Sequence, residues 1–200
     1  RRVRLAGPDS EGSGWTRLVE ACHRLGFQVH VEPPSADAPR PGSMLLDAPI
    51  DPILAGLYSR AGRATLGDIE LYRPGSGPEG VLDVNAWLRS RGQVPLPSCV
   101  LFGQVANLAY YYGVVPGLAD ARGVQPVLYL DMQEELLVVP VASSVDQLFN
   151  QLARFMELLP EEPDFVPGRC STTTFPFAAA GLVAQDTALV EMMRAGRFDG

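Results

Sequence analysis

Between Pro97 and Ala142 the chain carries PSCVLFG, NLAYYYGVV, QPVLYLD and ELLVVPVA, β-rich runs separated only by Gly, Pro and polar turns. No segment between consecutive runs is long enough to hold a crossover helix, so neighbouring strands must pair antiparallel. The fold class this dictates is α+β, a mainly antiparallel β-sheet meander with helices packed on it. The helix that follows is equally well marked. In ASSVDQLFNQLARFMELLP, Ser144 and Gln147 form an S-x-x-Q capping box that satisfies free N–H groups at the helix start, a feature worth about 1 kcal/mol. Val145, Leu148, Phe149, Leu152, Phe155, Met156 and Leu159 then recur as a broad apolar stripe suited to covering one face of a sheet, and Pro160 closes it.

Upstream, Trp15, Leu18, Val19, Cys22 and Leu25 predict a helix from Gly14 to Leu25, stopped by Gly26 and followed by a short strand in FQVHVE. The proline-rich PPSADAPRPG, Pro33 to Gly42, predicts an exposed connection. Asp51 is placed to cap a second helix with Pro52 at its first position; Ile53, Leu54, Leu57 and Tyr58 form its buried face and Gly62 ends it. Gly67 opens the strand DIELYR, and a short helix from Val81 carries Val84, Trp87 and Leu88. Beyond Pro160, EEPDFVPGRCSTTTFPF reads as a wrapping arm before a last helix from about Asp186 that carries Leu189, Val190 and Met193. The organisation expected is one domain over residues 1–200, with a core of about 15–159 and a C-terminal extension over 160–200.

Composition excludes several chemistries. The 16 basic residues are all arginine, so neither a Walker P-loop lysine nor a Schiff-base lysine can be built. This arginine-only pattern is also what high-GC coding produces, which points to a bacterial source. A net charge of −7 argues against nucleic acid, which demands a basic patch, and favours a basic protein partner. No apolar run approaches the roughly 20 residues of a membrane helix, so no membrane association is expected. The opening RRVRLAGPDS has no apolar segment behind it to make a secretory signal. Three cysteines, Cys22, Cys99 and Cys170, without C-x-x-C spacing, suit a reducing cytoplasm, and Cys22 and Cys99 fall where core residues belong.

Each possible catalytic or cofactor motif has a plainer structural reading. In RPGSGPEG, Gly75, Gly77 and Gly80 have the G-x-G-x-x-G spacing of a dinucleotide cradle, but that motif needs a parallel βαβ unit, and Glu79 would bring negative charge to the pyrophosphate. The segment reads as a turn, with no cofactor implied. The 2 histidines, His23 and His30, are not spaced with a metal-ligating set. Ser143 and Ser144 lack a G-x-S-x-G elbow, and capping accounts for Ser144. Adjacent Glu134 and Glu135 would point to opposite faces of a strand, which denies them a shared acid/base site. No catalytic residue is expected.

Tyr110, Tyr111 and Tyr112 are more informative. Strand alternation puts Tyr110 and Tyr112 on one face, and tyrosine offers a partner large rigid area with a polar tip. Acidic groups gather at Asp131, Glu134 and Glu135, and again at Glu157, Glu161, Glu162 and Asp164, where they would steer a cationic protein. The candidate partner contacts are therefore Tyr110, Tyr112, Asp131, Glu134 and Glu135.

The order of these elements resembles the SUKH superfamily. The likeness rests on PSCVLFGQVANLAYYYGVV and QPVLYLDMQEELLVVPVASSVDQLFNQL: a strand ending in Phe-Gly, an aromatic strand, a Pro-Val strand ending in Asp, and a strand running through Ala-Ser-Ser into a helix. IDPILAGLYSRAGRATLGDIELYRP is similar to that family's upstream helix and strand, and the likeness extends from about Trp15 to Leu159. Two places depart from the pattern: Arg60, Ala61 and Gly62 replace an Asn-Gly turn, and Val145 replaces a Phe. The resemblance implies helices on a largely antiparallel sheet, no catalytic apparatus, and a role in binding proteins. Members include fungal cell-wall synthesis regulators and bacterial immunity proteins that neutralise polymorphic toxins, often nucleases. The expectation is a cytoplasmic, non-enzymatic immunity protein. The alternatives are a regulatory scaffold that recruits an endogenous enzyme and, behind it, a nucleotide-binding protein or hydrolase.

Overall fold

In the computed structural model, which describes residues 13–91, 98–169 and 172–199, the elements run α1 (Ser13–Arg24), β1 (Val29–Val31), β2 (Met44–Leu45), β3 (Ala48–Pro49), α2 (Pro52–Tyr58), β4 (Ala64–Leu66), β5 (Ile69–Leu71) and α3 (Val81–Ser90). Then come β6 (Val100–Val105), β7 (Tyr110–Val114), β8 (Val127–Asp131), β9 (Leu137–Ala142), α4 (Val145–Leu158), α5 (Ala180–Val183) and α6 (Thr187–Arg194). The expectations for the opening RRVRLAGPDS and for Cys170 lie outside the described residues.

The four β-rich runs become β6 to β9, and every neighbouring pair in the seven-stranded sheet, ordered β1-β4-β5-β6-β7-β8-β9, is antiparallel. The fold is α+β, with helices packed on the sheet. The hairpin β2-β3 forms a separate two-stranded piece. Neither that hairpin nor β4 stands out in the sequence, because two or three residues are too few to show alternation.

Register sets the two faces. Ala64, Leu71, Gly103, Tyr112, Tyr129 and Val139 form one row across the sheet, while Thr65, Glu70, Gln104, Tyr111, Leu130 and Val138 form the row behind it. The first row lies under α4 and the C-terminal arm. The second row is polar toward β4, where Gln104 donates to Glu70 at 2.8 Å and accepts from the Tyr72 hydroxyl at 2.7 Å.

Helix α4 begins as its sequence requires: the Ser144 hydroxyl accepts from the Gln147 N–H at 3.1 Å. Its buried side carries Val145, Leu148, Phe149, Leu152, Phe155 and Met156. Helix α1 lies against it with their N-terminal ends together, the Gly14 N–H donating to Asp146 at 2.9 Å and Trp15 edge-on to Phe149 at 5.6 Å. Arg17 and Arg24 both reach Glu157, at 2.7 and 2.8 Å. A glycine is needed at position 14, since a Cβ there would run into the Asp146 carbonyl oxygen.

Asp51 caps α2, one carboxylate oxygen accepting from Ile53 and Leu54 and the other from Gln125 N–H at 2.7 Å. The helix ends at Tyr58, short of Gly62. In α3 the inward residues are Val81, Asn85 and Leu88. Trp87 is 49% exposed, its ring stacked beneath the Arg91 guanidinium at 4.3 Å. Asn85 takes the inward place by binding the backbone of Leu101 twice: its side-chain oxygen accepts from the N–H at 2.9 Å and its side-chain NH2 donates to the carbonyl at 2.8 Å.

The segment after α4 is part of the core. The Gly168 N–H donates to the Leu25 carbonyl, Thr172 is held by Asp68, and Phe175 and Ala179 join the same buried cluster as Leu18 and Leu152.

Candidate functional site

The β8-β9 hairpin brings the candidate residues to one end of the sheet. Tyr110 pairs with Asp131 and Tyr112 with Tyr129, so all four share the face under the arm. Tyr110 and Tyr112 flank the Tyr129 ring at 5.8 and 6.0 Å. Asp131 accepts the Gln133 N–H at 2.9 Å and turns the chain out of β8. Glu134 and Glu135 sit in the connection beyond it, outside the strand. The alternation expected to separate them does not apply, and both are exposed at the tip beside Leu136 and Leu137, which are 39% and 44% exposed.

Tyr112 does not belong to this surface. Its exposure is 0%, because Phe175 of the arm lies across it with ring centroids 6.5 Å apart and itself rests edge-on to Phe155 of α4 at 5.9 Å. Burial also pushes the Tyr112 hydroxyl far up from its ordinary value, with the nearby Asp68 and Tyr129 adding to the shift. It is a core residue. Tyr110 stays half-buried and accessible at the rim. The alternation that puts these two side chains on one face says nothing about what covers them.

The arm is fixed at two carboxylates. Asp68, in the β4-β5 turn, accepts the Thr172 N–H at 2.7 Å and the Thr172 hydroxyl at 3.0 Å. Burial raises the Asp68 carboxyl above its usual range despite those hydrogen bonds. Asp186, the residue expected to start the last helix, caps α6 at Leu189 and accepts the Ser143 N–H at 2.7 Å. Between these anchors Phe177 stands edge-on to Tyr129 at 6.0 Å yet remains 54% exposed. It forms one wall of a groove of about 500 Å³ bounded by Val139 of β9, Val183 of α5, and Val190 and Met193 of α6. Sequence reasoning did not find this groove, since its walls lie far apart along the chain. The available signal was Phe-Pro-Phe at 175–177 in a segment with no helical period.

The glycine loop spends its donors on itself. The Gly77 N–H donates to the Asp83 carboxylate at 2.6 Å, while the N–H groups of Gly80, Val81 and Leu82 donate to the carbonyls of Gly77, Arg73 and Gly75. A second cleft of about 530 Å³ includes Ser143 and Ser144, but the Ser144 hydroxyl is committed to capping, and His23 and His30 are on α1 and β1. Among the described residues no group of three or more His, Cys, Asp or Glu side chains is arranged to hold a metal ion. Burial pushes the Cys22 thiol up to about 11, with Asp68 adding to the shift, and the Cys99 thiol up to about 12 despite the opposing charge of Arg89. Both remain protonated in neutral solution.

Of the second acidic group, Glu157 is committed to Arg17 and Arg24. Burial opposes its ionisation, but those two guanidinium groups outweigh it and hold the carboxyl below its usual range. Glu161, Glu162 and Asp164 stay exposed. No helix among the described residues is long and apolar enough to cross a membrane. No protein-family model matches this sequence, and no curated protein matches it significantly.

Proposed function

We propose that this chain is a non-enzymatic protein-binding domain that docks a basic partner on the tip of the β8-β9 hairpin, as a bacterial immunity protein would dock a toxin domain such as a nuclease. The observation that carries this reading is the composition of the tip. Glu134 and Glu135 directly precede the exposed Leu136 and Leu137 in the chain, and Asp131 pairs with Leu137 on one side and Tyr110 on the other. Apolar and aromatic anchors beside like charges are what a partner-selective surface needs: the anchors contribute affinity and the charges accelerate encounter with a partner of opposite sign. The resemblance to the SUKH superfamily supports the same reading, and the regulatory-scaffold role is the alternative it leaves.

The test is capture from lysate and secreted fraction of the source organism with the full chain as bait, alongside the Glu134→Arg/Glu135→Arg variant. The expected result is one basic protein, retained by the parent chain, released by moderate salt, lost on charge reversal, and inhibited when bound. Retention of an endogenous enzyme whose activity continues in the complex would support the scaffold role. Equal retention by parent and variant would overturn the assignment of the tip.

A further inference from the structure

The groove beside β9 has walls from three separate stretches of chain, Val139, Phe177 with Val183, and Val190 with Met193, and it is left open although its lining is almost wholly apolar. Phe177 and Met193 are 54% and 50% exposed on it. Large apolar side chains converging on an uncovered groove mark an interaction site. We infer that this groove seats an amphipathic helix of the partner, with basic residues flanking its apolar face. The inference rests on the binding function proposed for the hairpin tip and extends that surface along β9.

Two observations select this occupant. The first is the condition of β9. It is the edge strand of the sheet, but Pro140 leaves it one N–H short, which disfavours adding a partner strand, and α6 packs beside it to form the groove. Helix-in-groove recognition uses such a cleft through anchors at i, i+3, i+4 and i+7. The second is charge and distance. From Val139 to Glu135 is four residues, at most about 13 Å along a strand, a length that about nine helical residues span. A helix anchored in the groove and running along β9 toward the tip therefore reaches Glu134 and Glu135 about two and a half turns on, where arginine or lysine is complementary. Arg194 lines the groove itself, so the arginine or lysine of the partner helix belongs at the end that meets Glu134 and Glu135.

The test uses the full chain and a labelled model peptide of about fourteen residues, a length of about 21 Å as a helix, with Leu on one face and Arg on the other. A peptide of the same composition in scrambled order is the control. Anisotropy titration is expected to give saturable binding for the ordered peptide and at least about tenfold weaker binding for the scrambled one. Met193→Glu and Phe177→Ala should each weaken binding by about tenfold, and both residues are exposed enough for the variants to fold, which circular dichroism checks. Glu134→Gln/Glu135→Gln should weaken binding and flatten its salt dependence. Equal binding of ordered and scrambled peptides, or no effect of the two groove variants, overturns the groove. A concentration-dependent dimer in sedimentation, abolished by Met193→Glu, also overturns it, because a second copy would then be the occupant. Loss of binding in the groove variants with no response to Glu134→Gln/Glu135→Gln supports the groove while sinking the charge-based function of the tip.

Discussion

Two layers cover the same face of the sheet, and they do it differently. Over one part lies α4, a 14-residue helix with a capped start and a continuous apolar stripe, clamped to α1 through Asp146 and Glu157. Over Tyr112 and Tyr129 lies the arm, assembled from Phe175, Phe177, the four residues of α5 and the eight of α6, and held by Asp68 and Asp186. A long regular stripe closes what it covers. Short pieces joined at angles cover Tyr112 completely but leave the groove beside β9. The open groove is thus a product of how the irregular layer packs.

The arm itself offers the sharpest way to break this comparison. Phe175→Ala removes a fully buried ring and should cost about 4 kcal/mol, whereas Phe177→Ala, two residues on, should cost about 1 kcal/mol because half its ring is already in water. Urea denaturation of both variants measures the contrast; equal losses would mean the arm is closed along its whole length. In the regular layer, Gly14→Ala forces a methyl against the Asp146 carbonyl and should cost about 3 kcal/mol, read by the same method.

A smaller, local effect separates the layers. Asp186→Ala strips α6 of its cap and leaves the Ser143 N–H unpaired, a loss of about 2 kcal/mol. Hydrogen exchange should speed up in α6 while the amides of α4 keep their protection; equal acceleration in both would make the two layers one cooperative unit.

The smallest expected effects come from pH, and their signs differ between layers. The Asp68 carboxyl is raised by burial, so the native chain takes up its proton before the unfolded chain does. Its contribution therefore increases as pH falls from the folded value toward the ordinary carboxylate value. Glu157 is depressed in the folded chain, so its contribution is complete above the ordinary glutamate value and is lost as pH falls through the folded value. Mild acid should favour the arm's anchor, and stronger acid should loosen the α1-α4 clamp. Denaturation at about pH 7, 5 and 3 checks this, with Asp68→Asn removing the first trend and Glu157→Gln the second.

The same contrast explains what was legible in the sequence. The meander and α4 announce themselves because apolar runs, alternation and a capping box are local signals. The N-cap role of Asp51 was equally readable, as was the start of the last helix near Asp186. Tyr110 and Tyr112 could be placed on one face, but only the return of Phe175 from more than sixty residues downstream decides that Tyr112 is buried and Tyr110 is not. The inward place of Asn85 was not legible for a similar reason: its partner is the Leu101 backbone, which no local pattern displays. The groove depends on residues from 139 to 193 meeting, so it has no sequence pattern of its own.

Asn85 has a consequence of its own. Leu101 lies past the end of β5, so the side of its peptide that faces away from β7 has no neighbouring strand, and the Asn85 amide fills that place with one donor and one acceptor. A helix side chain thus imitates a short length of strand. The imitation works because an amide side chain combines the two roles as a peptide group does; aspartate ionised would keep the acceptor and forfeit the donor. On the side where β5 has ended, the pairing of β6 is therefore carried one rung further by a single residue of α3, alongside the strand pairing that β7 provides as far as Val100.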